Sequence, residues 1–162
     1  MFAAIQPHCS STTISVLLAR GAEPNVTDPV TGTTPLLSSA GTGDAQCVDL
    51  LLKAGARVDA EDSAHATSVW QAALGGNPAV LERFIEMGVD PNRPNKQGVT
   101  PLMVAAASGN KEIVDILLRH HVEQCAVDVR GRSARDMAYQ HRYSALVEAL
   151  PKCPSRPPRD PQ

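Results

Sequence analysis

The side chains of this sequence that could do chemistry are few, and their spacing does not bring them together. Metal and nucleophilic sites are usually carried by histidine and cysteine; here there are five histidines (His8, His65, His120, His121, His141) and four cysteines (Cys9, Cys47, Cys125, Cys153). A structural zinc site needs ligand pairs a few residues apart, and a triad needs a nucleophile with a base in reach. No C-x-x-C pair occurs, and His120-His121 near Cys125 is a single turn without a second ligand pair. Gly41-Thr-Gly43 matches only the first part of a phosphate-binding loop, and a turn at a helix end explains it. These spacings predict no catalytic residue, no metal and no cofactor, so the chain is not expected to be an enzyme. They also predict no disulfide framework, and the thiols are expected to be reduced.

Composition narrows the class further. Apolar residues make up 43% of the 162-residue chain but aromatic ones only 3%, so the core must be built from Leu, Val, Ile and Ala, which suits close-packed small helices. The formal charge is −2, with residues 127–162 carrying seven Lys/Arg against four Asp/Glu. That imbalance is too small for nucleic-acid binding by counterion release. No apolar run approaches the roughly 20 residues of a membrane helix, and the start of the chain lacks a secretory pattern. A soluble, monomeric protein of the cytoplasm is expected, with the nucleus as a second location.

The elements that position these residues follow from a period. Thr34, Thr67, Thr100 and Ser133 stand 33 residues apart, and Gly43, Gly76 and Gly109 keep the same step, with Arg142 where the next glycine would fall. Gly55 and Gly88 share the step too, followed by His121. Thr34-Pro35 and Thr100-Pro101 place a hydroxyl at a helix N-cap and proline at the first helical position. The helix that starts there ends at the first glycine series. Asp44, Asn77 or Asn110 then caps a second helix whose apolar residues recur at helical spacing: Val48-Leu51-Leu52, Leu81-Phe84-Ile85, Val114-Leu117-Leu118. The segments between units, rich in Pro, Asn, Asp and Gly, read as extended turns.

Gly32-Thr-Thr-Pro-Leu36, Gly98-Val-Thr-Pro-Leu102 and the run from Val48 to Ala56 resemble the ankyrin repeat. The resemblance implies an all-α ankyrin-repeat solenoid of stacked helix–turn–helix units with hairpin-like turns. It divides the chain into a partial N-terminal capping repeat (1–27), with Ala3-Ala4 as the remnant of its first helix, and three repeats (28–60, a degenerate 61–92, and 93–126). A C-terminal capping repeat (127–150) and a disordered proline-rich tail (151–162) complete it. The family's usual histidine after Thr-Pro-Leu is replaced by Leu37, Trp70, Met103 and Asp136, so its hydrogen bonds must be absent or replaced. His65 stands where a glycine is expected, and local softness is expected around 61–70.

What the resemblance implies about function is partner binding by turn tips and inner faces of the first helices. Carried onto this chain, the tips supply Thr31, Thr33, Lys96, Gln97, Val99, Arg130 and Arg132, and the helices supply Thr42, Leu74, Ser108 and His141. Trp70 is either an exposed anchor or a filler of the missing histidine's space. Lys96, Arg130 and Arg132 make the end of this surface basic, so an acidic or phosphorylated segment of another protein is the expected partner. Asp49, Glu82, Asp115 and Glu148 should line up as a solvated acidic stripe on the second helices. The tail's Pro154-Ser-Arg-Pro157-Pro-Arg159 has the form of a weak SH3 ligand. An adaptor, scaffold or inhibitor is the first functional reading; the second is a substrate-recruiting fragment of a larger multidomain protein such as a ubiquitin-ligase receptor.

Overall fold

The computed structural model describes residues 10–153. The expected remnant helix at Ala3-Ala4 and the proline motif at 154–159 lie outside the described residues. Within them the chain forms α1 (Ser11–Ala19), α2 (Pro35–Gly41), α3 (Ala45–Lys53), α4 (Ser68–Gly75), α5 (Pro78–Glu86), α6 (Pro101–Ser108), α7 (Lys111–Arg119), α8 (Ala134–Gln140) and α9 (Ser144–Ala149). No strand is formed among the described residues. The first helices α2, α4, α6 and α8 pack side by side as one layer, and α1, α3, α5 and α7 stack as a second layer behind them.

Each first helix begins as its residues dictate. Thr34, Thr67, Thr100 and Ser133 hold extended backbone, and their hydroxyl oxygens accept the N–H of Leu37, Trp70, Met103 and Asp136. Asp44, Asn77 and Asn110 cap α3, α5 and α7 in the same way. Such caps satisfy backbone donors that helices this short cannot satisfy internally. The three non-glycine residues that fall in glycine series, His65, His121 and Arg142, all take left-handed backbone, with φ of 60°, 54° and 64°. The fold imposes this conformation on them, at about 1 kcal/mol or more each relative to glycine.

The core runs unbroken through the stack. Leu36, Val48, Leu51, Leu81, Phe84, Leu102, Val114 and Leu117 are buried, and Ala40, Ala73 and Ala106 have no exposed surface. These alanines let successive first helices approach closely, because any larger side chain would hold them apart.

Side chains tie one unit to the next. The Asn77 amide donates to the Gly43 carbonyl at 2.8 Å, and Asn110 repeats the contact on Gly76 at 3.2 Å. Asn25 accepts the Arg57 N–H and donates to the Gly55 carbonyl, while Asn92 accepts the N–H of Glu123. A residue that caps its own helix and also reaches its neighbour couples local to long-range order, which is how a stack of individually unstable units holds together.

The expectation of reduced thiols is overturned. Cys125, after α7, and Cys153, after α9, form a disulfide with Cα atoms 5.3 Å apart, and no cysteine among the described residues is a free thiol. Their separation of 28 residues hid the pairing, because stacking of helical units, not local spacing, brings the two segments within bonding distance. Residues 151–153, at the start of the segment expected to be a disordered tail, are therefore tethered at Cys153.

Candidate partner-binding face

Four turn tips project beside the first helices, and each closes on one acceptor. The Asp28 carboxylate accepts the N–H of Val30 and Thr31, and Asp62, Asn95 and Asp128 each accept two N–H groups of their own tips. The tip holding His65 closes like its neighbours, with Gln71 also donating to Asp62. Tips are linked by a ladder of backbone bonds: Ser63 N–H to Thr31 O at 2.8 Å, Lys96 to Ala64 at 2.9 Å, and Val129 to Gln97 at 2.9 Å. Side chains on successive tips are thereby held in a fixed row.

On this frame the expected partner-binding residues fall into two groups. Thr31, Thr42, Leu74, Lys96, Gln97, Ser108, Arg130 and His141 are exposed along the tips and the ends of the inner helices. Thr33, Trp70, Val99 and Arg132 are half-buried and occupied by the fold. The Thr33 carbonyl accepts the Asp28 N–H. The Trp70 indole N–H donates to the Val99 carbonyl at 3.0 Å, so a bond from one unit to the next is made where histidine is missing, and the packing reading of Trp70 fits better than the anchor. Trp70→Phe removes only that donor and some volume. It is expected to cost about 1 kcal/mol, read as a lower urea midpoint at constant slope.

Arg132 is the clearest departure from the expected basic surface. Its guanidinium grips Asp128 at 2.7 Å and reaches Gln140, so it is spent internally. Burial alone would raise the Asp128 carboxyl, but the Arg132 N–H, the Arg132 guanidinium and the Arg130 N–H outweigh it and hold the pKa below the ordinary carboxylate value. A carboxyl held down in the folded state contributes stability that is complete above its unfolded pKa and is lost as pH falls through the folded one. Asp128→Asn keeps the tip acceptor, as Asn95 shows, but releases Arg132. The variant is expected to lose on the order of 1 kcal/mol near neutrality and to show a shallower acid limb in a denaturation series from pH 6 to 2.

The acidic stripe is also partly neutralised. Asp49 pairs with Arg83, Glu82 with Arg119 and Asp115 with Lys111, leaving the outer face of the second helices as a row of exposed ion pairs between and within units. Among the described residues Lys96, Arg130 and Arg142 have no ion pair. Arg20 and Lys53 are unpaired as well, on the early second helices, so among the turn tips the unpaired cations are Lys96 and Arg130.

The most exposed large apolar or aromatic residues among the described ones escaped the sequence reading: Val30 at 84% exposure, Val129 at 73% and Tyr139 at 74%. Tyr139 was findable, since it stands one period after Ala106, where the preceding units have fully buried alanines. It borders a cavity of about 570 Å3 with Gln140, Arg142, Ser144, Val147 and Glu148, and the neighbouring His141 and Tyr143 rings stack at 6.3 Å. No cluster of three His, Cys, Asp or Glu able to hold a metal occurs among the described residues, and no helix there is long and apolar enough to cross a membrane.

Comparison with known proteins agrees with this geometry. The family model described as ankyrin repeats in three copies matches residues 1–94 and again 69–156. The chain is 32% identical over 139 residues to human SH3 and multiple ankyrin repeat domains protein 2, covering 85% of this chain and 8% of that protein. It is 33% identical over 106 residues to the ankyrin repeat and KH domain-containing protein mask-1 of Caenorhabditis elegans (64% and 4%). It is 32% identical over 136 residues to human neurogenic locus notch homolog protein 4 (74% and 7%). The chain thus spans less than a tenth of the length of these relatives.

Proposed function

The chain belongs to the ankyrin-repeat family, and from that premise we propose that it is a non-catalytic protein–protein interaction module, acting as an adaptor, scaffold or inhibitor. The partner lies across the turn tips and the ends of the inner helices. The observation that carries this reading is the backbone ladder joining the tips, which presents Thr31, Gln97 and Arg130 with Val30, Lys96 and Val129 as one rigid row beside Leu74 and Tyr139. A preformed row of this kind binds without the entropy cost of ordering loops.

The chemistry of the row defines the partner. Lys96 and Arg130 are exposed cations without ion pairs among the described residues, while Arg132 is already held by Asp128. An acidic or phosphorylated segment is therefore steered to the later tips, where charge sets orientation and rate of encounter, and Leu74, Val129 and Tyr139 offer apolar contact. The test is affinity capture from cell extract followed by titration of the captured proteins, comparing the parent chain with Lys96→Glu/Arg130→Glu. At least one captured protein should bind the double variant ten-fold or more weakly; equal retention of all of them removes the basic docking row.

A second reading is a recruiting segment of a larger multidomain protein such as a ubiquitin-ligase receptor. It is supported by the length of the relatives, each more than ten times that of the matched region. Ligase subunits among the captured proteins would favour it over a free-standing adaptor.

A further inference from the structure

The Cys125–Cys153 bond plays no part in the docking row, yet it encloses one end of it. It joins the segment after α7 to the segment after α9 across 28 residues, so the fourth tip, α8 and α9 lie inside a covalent ring. Among the described residues this is the last unit, and α8 packs against only one other first helix, α6. Its own closure is thin. The helix α9 has six residues and no side-chain cap from Tyr143, Arg142 before it holds a left-handed φ, and the Val147 and Leu150 carbonyls lean on the Arg135 guanidinium. A helix this short does not persist without tertiary support.

The bond is also open to attack, because Cys125 is exposed and Cys153 half-buried. We infer that Cys125–Cys153 is a thiol–disulfide exchange site whose substrate is a dithiol reductant, and that it serves as a redox clasp on the last unit. A thiolate of the reductant bonds to Cys125 Sγ, the S–S bond breaks, and its electron pair leaves on Cys153, which takes up a proton. The second thiol of the reductant then displaces Cys125, leaving two thiols in the protein and one disulfide in the reductant. In a reducing compartment such bonds are transient and redox-sensing, whereas in an oxidising one they persist. Arg130, Tyr139 and His141 lie within the ring, so opening the clasp loosens that end of the docking row; this last consequence alone rests on the function proposed above.

The test needs no partner. The oxidised full chain is digested without reductant and mapped, and amide hydrogen exchange is followed with and without dithiothreitol and in Cys153→Ser. A linked Cys125–Cys153 peptide pair is expected. Exchange across residues 127–150 should rise on the order of 100-fold, as a ring of this size implies, both on reduction and in Cys153→Ser without reductant, while α4 to α6 keep their protection. Absence of the linked pair overturns the inference. So does unchanged exchange in Cys153→Ser, or a loss of protection spread equally over α4 to α6.

Discussion

Gly75→Ala is expected to lower the unfolding free energy by on the order of 3 kcal/mol, a large effect for one methyl group on a helix. A Cβ at Gly75 would stand 2.2 Å from the Ala40 carbonyl oxygen and 2.7 Å from the Gly43 nitrogen. Both are backbone atoms, so no side chain can rotate away and α2 must separate from α4. The reciprocal contact is as tight, since a Cβ at Gly43 would stand 2.6 Å from the Gly75 carbonyl oxygen. Helix propensity pulls the other way, because alanine is favoured over glycine inside a helix by about 1 kcal/mol. A stabilised variant would therefore show that the α2–α4 contact yields. Gly55→Ala is the control: nothing lies within 4 Å of its Cβ and only its φ of +85° is at stake, a cost nearer 1 kcal/mol. Urea denaturation of both variants separates crowding from backbone conformation.

Phe84→Ala should cost about 3–5 kcal/mol. Phe84 is fully buried and heads the largest buried side chains. It stands in the series Leu51, Phe84, Leu117 on the second helices, where a truncation opens a cavity between α5 and its neighbours. Stability in a stack is a sum over adjacent contacts, so weakening a middle unit weakens the contacts on both of its sides. Met87→Ala, three residues on at 47% exposure, should stay within about 0.5 kcal/mol. If thermal or urea melting gave both variants similar midpoints, α5 would not be the support this packing describes.

Much of the architecture was legible from residue spacing. The caps Thr34, Thr67 and Thr100, the prolines after Thr34 and Thr100, and the glycine series each act within one turn of chain, so their types report local backbone directly. The left-handed His65, His121 and Arg142 were readable only through the period, which marks positions where the fold dictates φ regardless of residue. The tip positions Lys96, Gln97 and Arg130, which are exposed, were placed by the ankyrin resemblance. What their neighbours do was not: Arg132 differs from Arg130 by two residues, but only the folded tip directs its guanidinium onto Asp128 instead of outward. Trp70 likewise finds the Val99 carbonyl across the boundary between units.

By itself the sequence determined the repeat, its two helices per unit, their ends, and which faces carry apolar residues, because those features depend on contacts between residues a few positions apart. Only the tertiary structure decided which cations stay free, that Asn77 and Asn110 reach back to the preceding glycines, that Gly75 has no room for a methyl group, and that Cys125 meets Cys153. The first depends on how a tip closes on itself, as when Arg132 turns onto Asp128; the others depend on the distance between successive units, which is set by the packing of alanines and glycines summed over the whole stack and is written in no single stretch of chain.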